Sequence, residues 1–121
     1  MIEGKAMNKY ARGCCVAGAI GLAGMPVMAQ ESARLPLGEK VFVSSCKSCH
    51  ETGKAQNDAP QLSEQSEWKD RAGKGRADMY NSAIDGFSAY YEMPPRGGNA
   101  ALSDDEVKAA VDYMLRRAGV N

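Results

Sequence analysis

The sequence predicts an all-α fold in one small domain. Three observations carry that expectation. A strongly marked helix closes the chain, opened by Ser103-Asp104-Asp105-Glu106 and ended by Gly119. Shorter stretches with helical apolar spacing precede it, each stopped by glycine. Nowhere does the alternating pattern of a strand occur, and there is no internal repeat.

The first segment is expected to lie outside that domain. Met7-Asn8-Lys9-Tyr10-Ala11-Arg12 is a short basic stretch, and 13–28 follows without a charge. Val27-Met28-Ala29 offers small residues where a signal peptidase reads, so 1–29 is expected as a cleaved secretory signal peptide with Gln30 the first mature residue. Met1 to Ala6 adds nothing a signal needs, so Met7 serves as a start as well as Met1. The alternative is an uncleaved anchor. The apolar run falls short of the ~20 residues of a membrane span and is broken by Pro26, which favours cleavage and no stable membrane insertion afterwards. Cys14 and Cys15 leave with the signal. A lipoprotein reading of Cys14 fails, because its apolar stretch follows the cysteine.

Residues 30–36 read as a polar, flexible lead-in. Gly38 to Ser45 reads as a first helix, with Gly38 and Phe42 on one face. Gly53 to Gln61 is a loop. Ser66 to Ala72 is a brief helix carrying Trp68 and Arg71, with Gly73 as its stop. Arg76 to Ile84 is another, stopped at Gly86. Phe87 to Leu102 is a loop containing Met93-Pro94-Pro95-Arg96-Gly97-Gly98. In the last helix Ser103 and Glu106 form a capping box, with three acids at the positive end and Arg116 and Arg117 at the negative end. Val107, Ala110, Val111, Met114 and Leu115 make one apolar stripe.

The whole chain has 15 basic and 15 acidic residues. The signal removes Lys5, Lys9, Arg12 and Glu3, leaving twelve basic against fourteen acidic. Nothing in that balance points to nucleic acid or an anionic membrane surface. The remaining chain, 30–121, is small for a self-sufficient core. Its one Trp and two Phe all follow residue 40.

Cys46-Lys47-Ser48-Cys49-His50 addresses that shortage. C-x-x-C-H is the attachment signature of a c-type haem. Two thiols at this spacing can each add to one haem vinyl group, and the adjacent histidine supplies one axial nitrogen to the iron. A zinc site would need further Cys or His downstream, and none follows His50. If Cys46 and Cys49 both hold haem, no disulfide is left to form. A covalently held macrocycle would be the largest apolar group in the core.

The iron's sixth ligand must come from elsewhere, since His50 is the chain's one histidine. Met79, Met93 and Met114 follow the motif. Met114 lies on the apolar stripe, where core filling is the plainer reading, and Met79 has similar periodicity. Met93 stands in a loop just before two prolines, which stiffen the backbone and remove two N–H donors. That placement favours Met93. With His50 and Met93 both bound, iron has no open site, which suits single-electron transfer and disfavours small-molecule catalysis. A haem sensor or peroxidase-like protein, with Met93 displaced by a ligand, is the alternative. A cytochrome subunit of a larger redox enzyme is another.

Gly38, Phe42, the Cys46–His50 run, Ala59-Pro60-Gln61-Leu62, Trp68, Arg71, Met93-Pro94-Pro95-Arg96-Gly97-Gly98, the capping box and Tyr113-Met114 together resemble small bacterial class I cytochromes c, in the cytochrome c5 and c-555 group. The resemblance implies a cytochrome c domain over 37–121, about four short helices wrapped around one haem c. It implies that Pro60 offers its carbonyl to the second ring nitrogen of His50, and that Trp68 and Arg71 reach a haem propionate. It implies that Gly38 and Phe42 pack against the last helix near Tyr113, and that Tyr90 or Tyr91 covers the haem. Asn99-Ala100-Ala101 stands where typical c5 members look as though they carry a second Cys pair, so that disulfide is absent. The function expected is that of a soluble, monomeric electron carrier of the periplasm, not an enzyme, meeting redox protein partners transiently.

Overall fold

The computed structural model describes residues 26–52, 58–88 and 92–120. Residues 1–25, most of the expected signal, and Tyr90 and Tyr91 lie outside the described residues. Among the described residues five α-helices follow in order: α1 Val27–Val41, α2 Lys47–His50, α3 Gln65–Ala72, α4 Arg76–Asp85 and α5 Asp104–Arg117. A π-helical turn, Phe42–Cys46, joins α1 to α2, and a 3₁₀ turn, Pro95–Gly98, precedes α5. Among the described residues there is no strand, only an isolated antiparallel bridge between Phe87 and Met93. No helix of the described residues is long and apolar enough to cross a membrane.

The fold hangs on the crossing of α1 and α5. Ser103 Oγ accepts the backbone N–H of Glu106 at 3.3 Å, and Glu106 Oε2 accepts that of Ser103 at 2.8 Å. The stripe from Val107 to Leu115 is buried and continues through Ala118 and Val120, past Gly119 at φ 72°. Gly38 is where the two helices touch. A Cβ there would collide with the backbone carbonyl of Ala109 and come within 2.9 Å of Tyr113 Cβ. One turn further along, the Phe42 and Tyr113 rings meet at 5.4 Å. Phe42 and Leu115 are the largest fully buried side chains.

Helix α1 corrects one expectation. Residues 30–36 are not a flexible lead-in but continuous helix. Glu31, Ala33, Arg34 and Leu35 are good helix formers, and no glycine interrupts them. Polarity alone suggested a loop, yet a helix exposed on all sides is also polar. Pro36 lies within it, tolerated despite the lost backbone N–H. Helix α1 is tied to the rest near its middle. Asp112 of α5 meets Arg34 of α1 at 3.4 Å, and Arg76 and Tyr80 of α4 at 2.7 and 2.6 Å.

Gly73 ends α3 as expected, in an ordinary right-handed conformation, and Gly75 at φ 116° leads into α4. Gly86 ends α4 at φ 85°, as expected of a glycine stop.

Candidate functional site

The π turn sets the site up. Such a turn carries one more residue than an α turn, so the side chains after it are rotated relative to a continuous helix. The Val41 carbonyl accepts Ser44 Oγ at 3.1 Å, a local side-chain bond that competes with regular helix. Cys46 ends this turn and Cys49 follows three residues later in α2, placing both thiols on one face. Both are half-buried. Burial, and then the neighbouring Cys49, push the Cys46 thiol up to about 11, so it keeps its proton at neutral pH.

His50 is buried, with 6% of its surface exposed. Its Nδ1 lies 2.8 Å from the Pro60 carbonyl oxygen. A carbonyl only accepts, so Nδ1 carries the hydrogen and Nε2 keeps its lone pair. Burial lowers the pKa of His50, the Arg71 charge lowers it further, and the Pro60 bond opposes both. The result is a neutral imidazole of fixed tautomer, the form that binds a metal.

Residues 60–62 form a short clamp along the motif. Beside the His50–Pro60 bond, Gln61 Nε2 donates to the Cys49 carbonyl at 2.7 Å, and Leu62 N–H donates to the His50 carbonyl at 2.9 Å. Gln61 is itself buried and held by Glu64 Oε2, which accepts its N–H at 2.7 Å. The Trp68 indole N–H donates to the Gln61 carbonyl at 2.7 Å, and its ring lies 5.7 Å from that of His50. The resemblance had implied a propionate for that N–H. In this structure the indole's one donor goes to Gln61, so Trp68 adjoins the site by packing against the imidazole. Arg71 donates to the Glu67 carbonyl and carboxylate, both at 2.8 Å, and the structure shows it acting on His50 only through its charge.

The three methionines are placed differently. Met114 is buried in the α5 stripe. Met79 and Met93 are both half-buried and packed on the core. Met93 pairs with Phe87 through two backbone bonds of 2.8 and 2.9 Å. Gly86 permits this turn, since a Cβ there would lie 2.8 Å from the Met93 carbonyl oxygen and 3.0 Å from Pro95. After Pro94 and Pro95 the chain turns left-handed at Arg96, Gly97 and Gly98. That turn rests on the residue before Cys46. A Cβ on Gly97 would lie 2.8 Å from the Ser45 carbonyl oxygen, and Asn99 Nδ2 is 3.3 Å from Ser45 Oγ. The methionine loop and the segment leading into the cysteine motif, 54 positions apart at Asn99 and Ser45, thus meet at Ser45.

Sequence reasoning missed Gln61, Asn99 and Arg96 as parts of this arrangement. Gln61 and Arg96 stood inside the motifs but had no chemical signal of their own. It also missed an open pocket beside His50, lined by Glu51, Gln61, Leu62, Ser63 and Arg117. There Arg117 pairs with Glu51 and lies over the Phe42 ring, 5.9 Å from its centre.

The donor set fits a covalently attached haem. Two thiols share a face, a neutral imidazole has its free nitrogen defined, and a thioether loop is docked on the same segment. Half-buried Met79, Tyr80, Ile84 and Leu102 add apolar surface around the core. Among the described residues, no group of three or more His, Cys, Asp or Glu is arranged to hold a bare metal ion.

Such a fold and motif define a c-type cytochrome. Residues 33–114 match the family described as cytochrome c oxidase, cbb3-type, subunit III, and the chain belongs to this cytochrome c family. Cytochrome c5 of Azotobacter vinelandii is 39% identical over 79 residues, covering 64% of this chain and 89% of the relative. Cytochrome c-555 of Chlorobaculum tepidum is 34% identical over 79 residues, 64% of this chain and 71% of the relative. A chain in the crystal structure of an electron transfer complex of nitrite reductase with cytochrome c is 35% identical, with a TM-score of 0.59. That similarity covers 69% of this chain and 95% of the other. The family is one of monohaem electron carriers, and membership implies covalent haem c.

Proposed function

We propose that this protein is an exported monohaem cytochrome that passes single electrons between redox partners, with its iron held by His50 and Met93. The observation that carries the reading is the Nδ1–H bond from His50 to Pro60, one residue after the second of two paired cysteines. It leaves Nε2 as a ready axial donor. Cys46 and Cys49 would form the two thioether links, each S–H adding across a vinyl double bond. His50 and Met93 would together occupy the iron, and the haem so held would supply one-electron exchange without taking up substrate. A thioether ligand in buried surroundings favours the ferrous form, so the potential should be raised relative to bis-histidine haem.

The chain's own groups serve that cycle by staying put. His50 keeps one tautomer through Pro60, Trp68 and Gln61 wall its side, and the stiff loop holds Met93. Arg71 keeps donors beyond the one that Glu67 takes, and these would offset propionate charge. Cleavage after Ala29 would release a soluble monomer into the periplasm, since the charge-free run before it reads as a signal. Docking would be transient and not governed by positive charge, given the slight acidic excess of 30–121, so transfer rates should fall only modestly from low to physiological salt.

A redox titration with optical spectra tests the reading. It predicts one one-electron wave, and colour that stays with the polypeptide on acid–acetone extraction. Two waves, or haem in the organic layer, would refute it. N-terminal sequencing of the exported protein should begin at or near Gln30. The matched family's description favours a second reading, a cytochrome subunit held in a larger oxidase. Copurification with a membrane oxidase, instead of a monomer on gel filtration, would select it.

A further inference from the structure

We infer that Arg96 is the positioning residue of the sixth iron ligand, an inference that rests on reading Met93 as that ligand. Arg96 sits at φ 56°, ψ 29°, a left-handed conformation that costs little for glycine and more for any other residue. Residues held this way persist where the surroundings over-determine them, and they cluster at functional sites. Here the surroundings are its own side chain's partners. Arg96 Nη1 donates to the Leu102 carbonyl at 2.9 Å, and Nη2 to Asp104 Oδ1 at 2.6 Å.

The neighbouring positions show why an arginine stands in a glycine's conformation. Gly97 must lack a side chain, because the Ser45 carbonyl occupies that space. No such contact requires glycine at 96. A glycine there would make the turn but could not reach α5. The forked guanidinium makes two directed bonds at once, which a lysine cannot reproduce in the same geometry. It ties the loop to the start of α5, whose buried stripe makes it a firm anchor.

Met93 therefore lies between two restraints. Its own backbone pairs with Phe87. After it, Pro94 and Pro95 transmit the position of the Arg96 turn, closed by Gly97 N–H to the Pro94 carbonyl at 3.1 Å. Releasing Arg96 frees the second limb and lets the thioether leave the iron more often, without changing the ligand itself.

Carbon monoxide binding to the reduced holoprotein reads that departure, because the gas needs the position Met93 vacates. Arg96→Gly should bind it about tenfold faster than the parent, while the weak far-red sulfur–iron band of the ferric form bleaches at lower temperature. Asp104→Ala, which leaves residue 96 untouched, should move both readouts in the same direction, and Arg96→Lys should fall between. Arg76→Gln removes an ion pair of similar length on α4 and should leave both unchanged. Parent-like rates in Arg96→Gly and Asp104→Ala, with fast binding in Met93→Ala, would overturn the role of Arg96 alone. A band that survives in Met93→Ala would overturn the ligand reading and this inference with it.

Discussion

Around His50, residues 60–62 make three hydrogen bonds to residues 49 and 50, and one of them reaches the imidazole itself. Around Met93, the restraints act on the backbone: two bonds to Phe87, two prolines, and a left-handed turn resting on Ser45. The chemistry of the two side chains explains the contrast. Imidazole has two nitrogens, so one can be fixed by the protein while the other faces a metal. A thioether has one polar atom, and that atom is the ligand. Its direction can be set only by the chain that carries it and by packing. A histidine ligand can therefore sit in a locally ordinary helix end, whereas a methionine ligand needs a specially shaped loop.

The largest effect should come from the side chain that supports both regions. Phe42 starts the turn into Cys46 and packs against α5, and it is 1% exposed. Phe42→Ala should cost about 4 kcal/mol in urea unfolding. If the loss is under about 1 kcal/mol, the crossing does not support the site as described.

Gly97→Ala strikes the methionine side alone. It strains a φ of 63° and drives a methyl into the Ser45 carbonyl. About 2 kcal/mol of stability should go, together with a weakened far-red band in the ferric spectrum. An unchanged band would separate the loop's shape from ligation.

Trp68→Phe strikes the histidine side alone. The Gln61 carbonyl loses its indole partner, for about 1.5 kcal/mol, and the far-red band should persist. Loss of the band here would mean that the two sides are coupled through more than the core.

Ser103→Ala touches neither ligand. Removing the cap at α5 should cost about 1 kcal/mol by thermal unfolding and leave the spectrum and potential alone.

How far each region could be read in advance follows from the range of its interactions. Helix α5 was legible to its ends, because capping, dipole and apolar stripe are all local to residues 103–119. Cys46, Cys49 and His50 were legible as a motif for the same reason. Helix α1 was not, since the polarity of 30–36 suits coil as well as helix, and its helix formers alone do not decide until Gly38 is seen against Ala109. The π turn hinges on a serine competing for the Val41 carbonyl. The partner of the Trp68 N–H depends on which carbonyl the 60–62 segment presents, and Arg96 depends on where α5 begins in space. These are distant placements, without a spacing rule to announce them.

The central claim, that Met93 is an iron ligand fixed by its backbone, is tested most directly by methyl-carbon-labelled methionine in the reduced, diamagnetic holoprotein. An iron-bound methionine holds its methyl over the haem plane, where the ring current displaces its NMR signal far from those of the others. The account predicts one such signal, absent in Met93→Ala and retained in Met79→Leu and Met114→Leu. A displaced signal that survives in Met93→Ala and vanishes in Met79→Leu would contradict it.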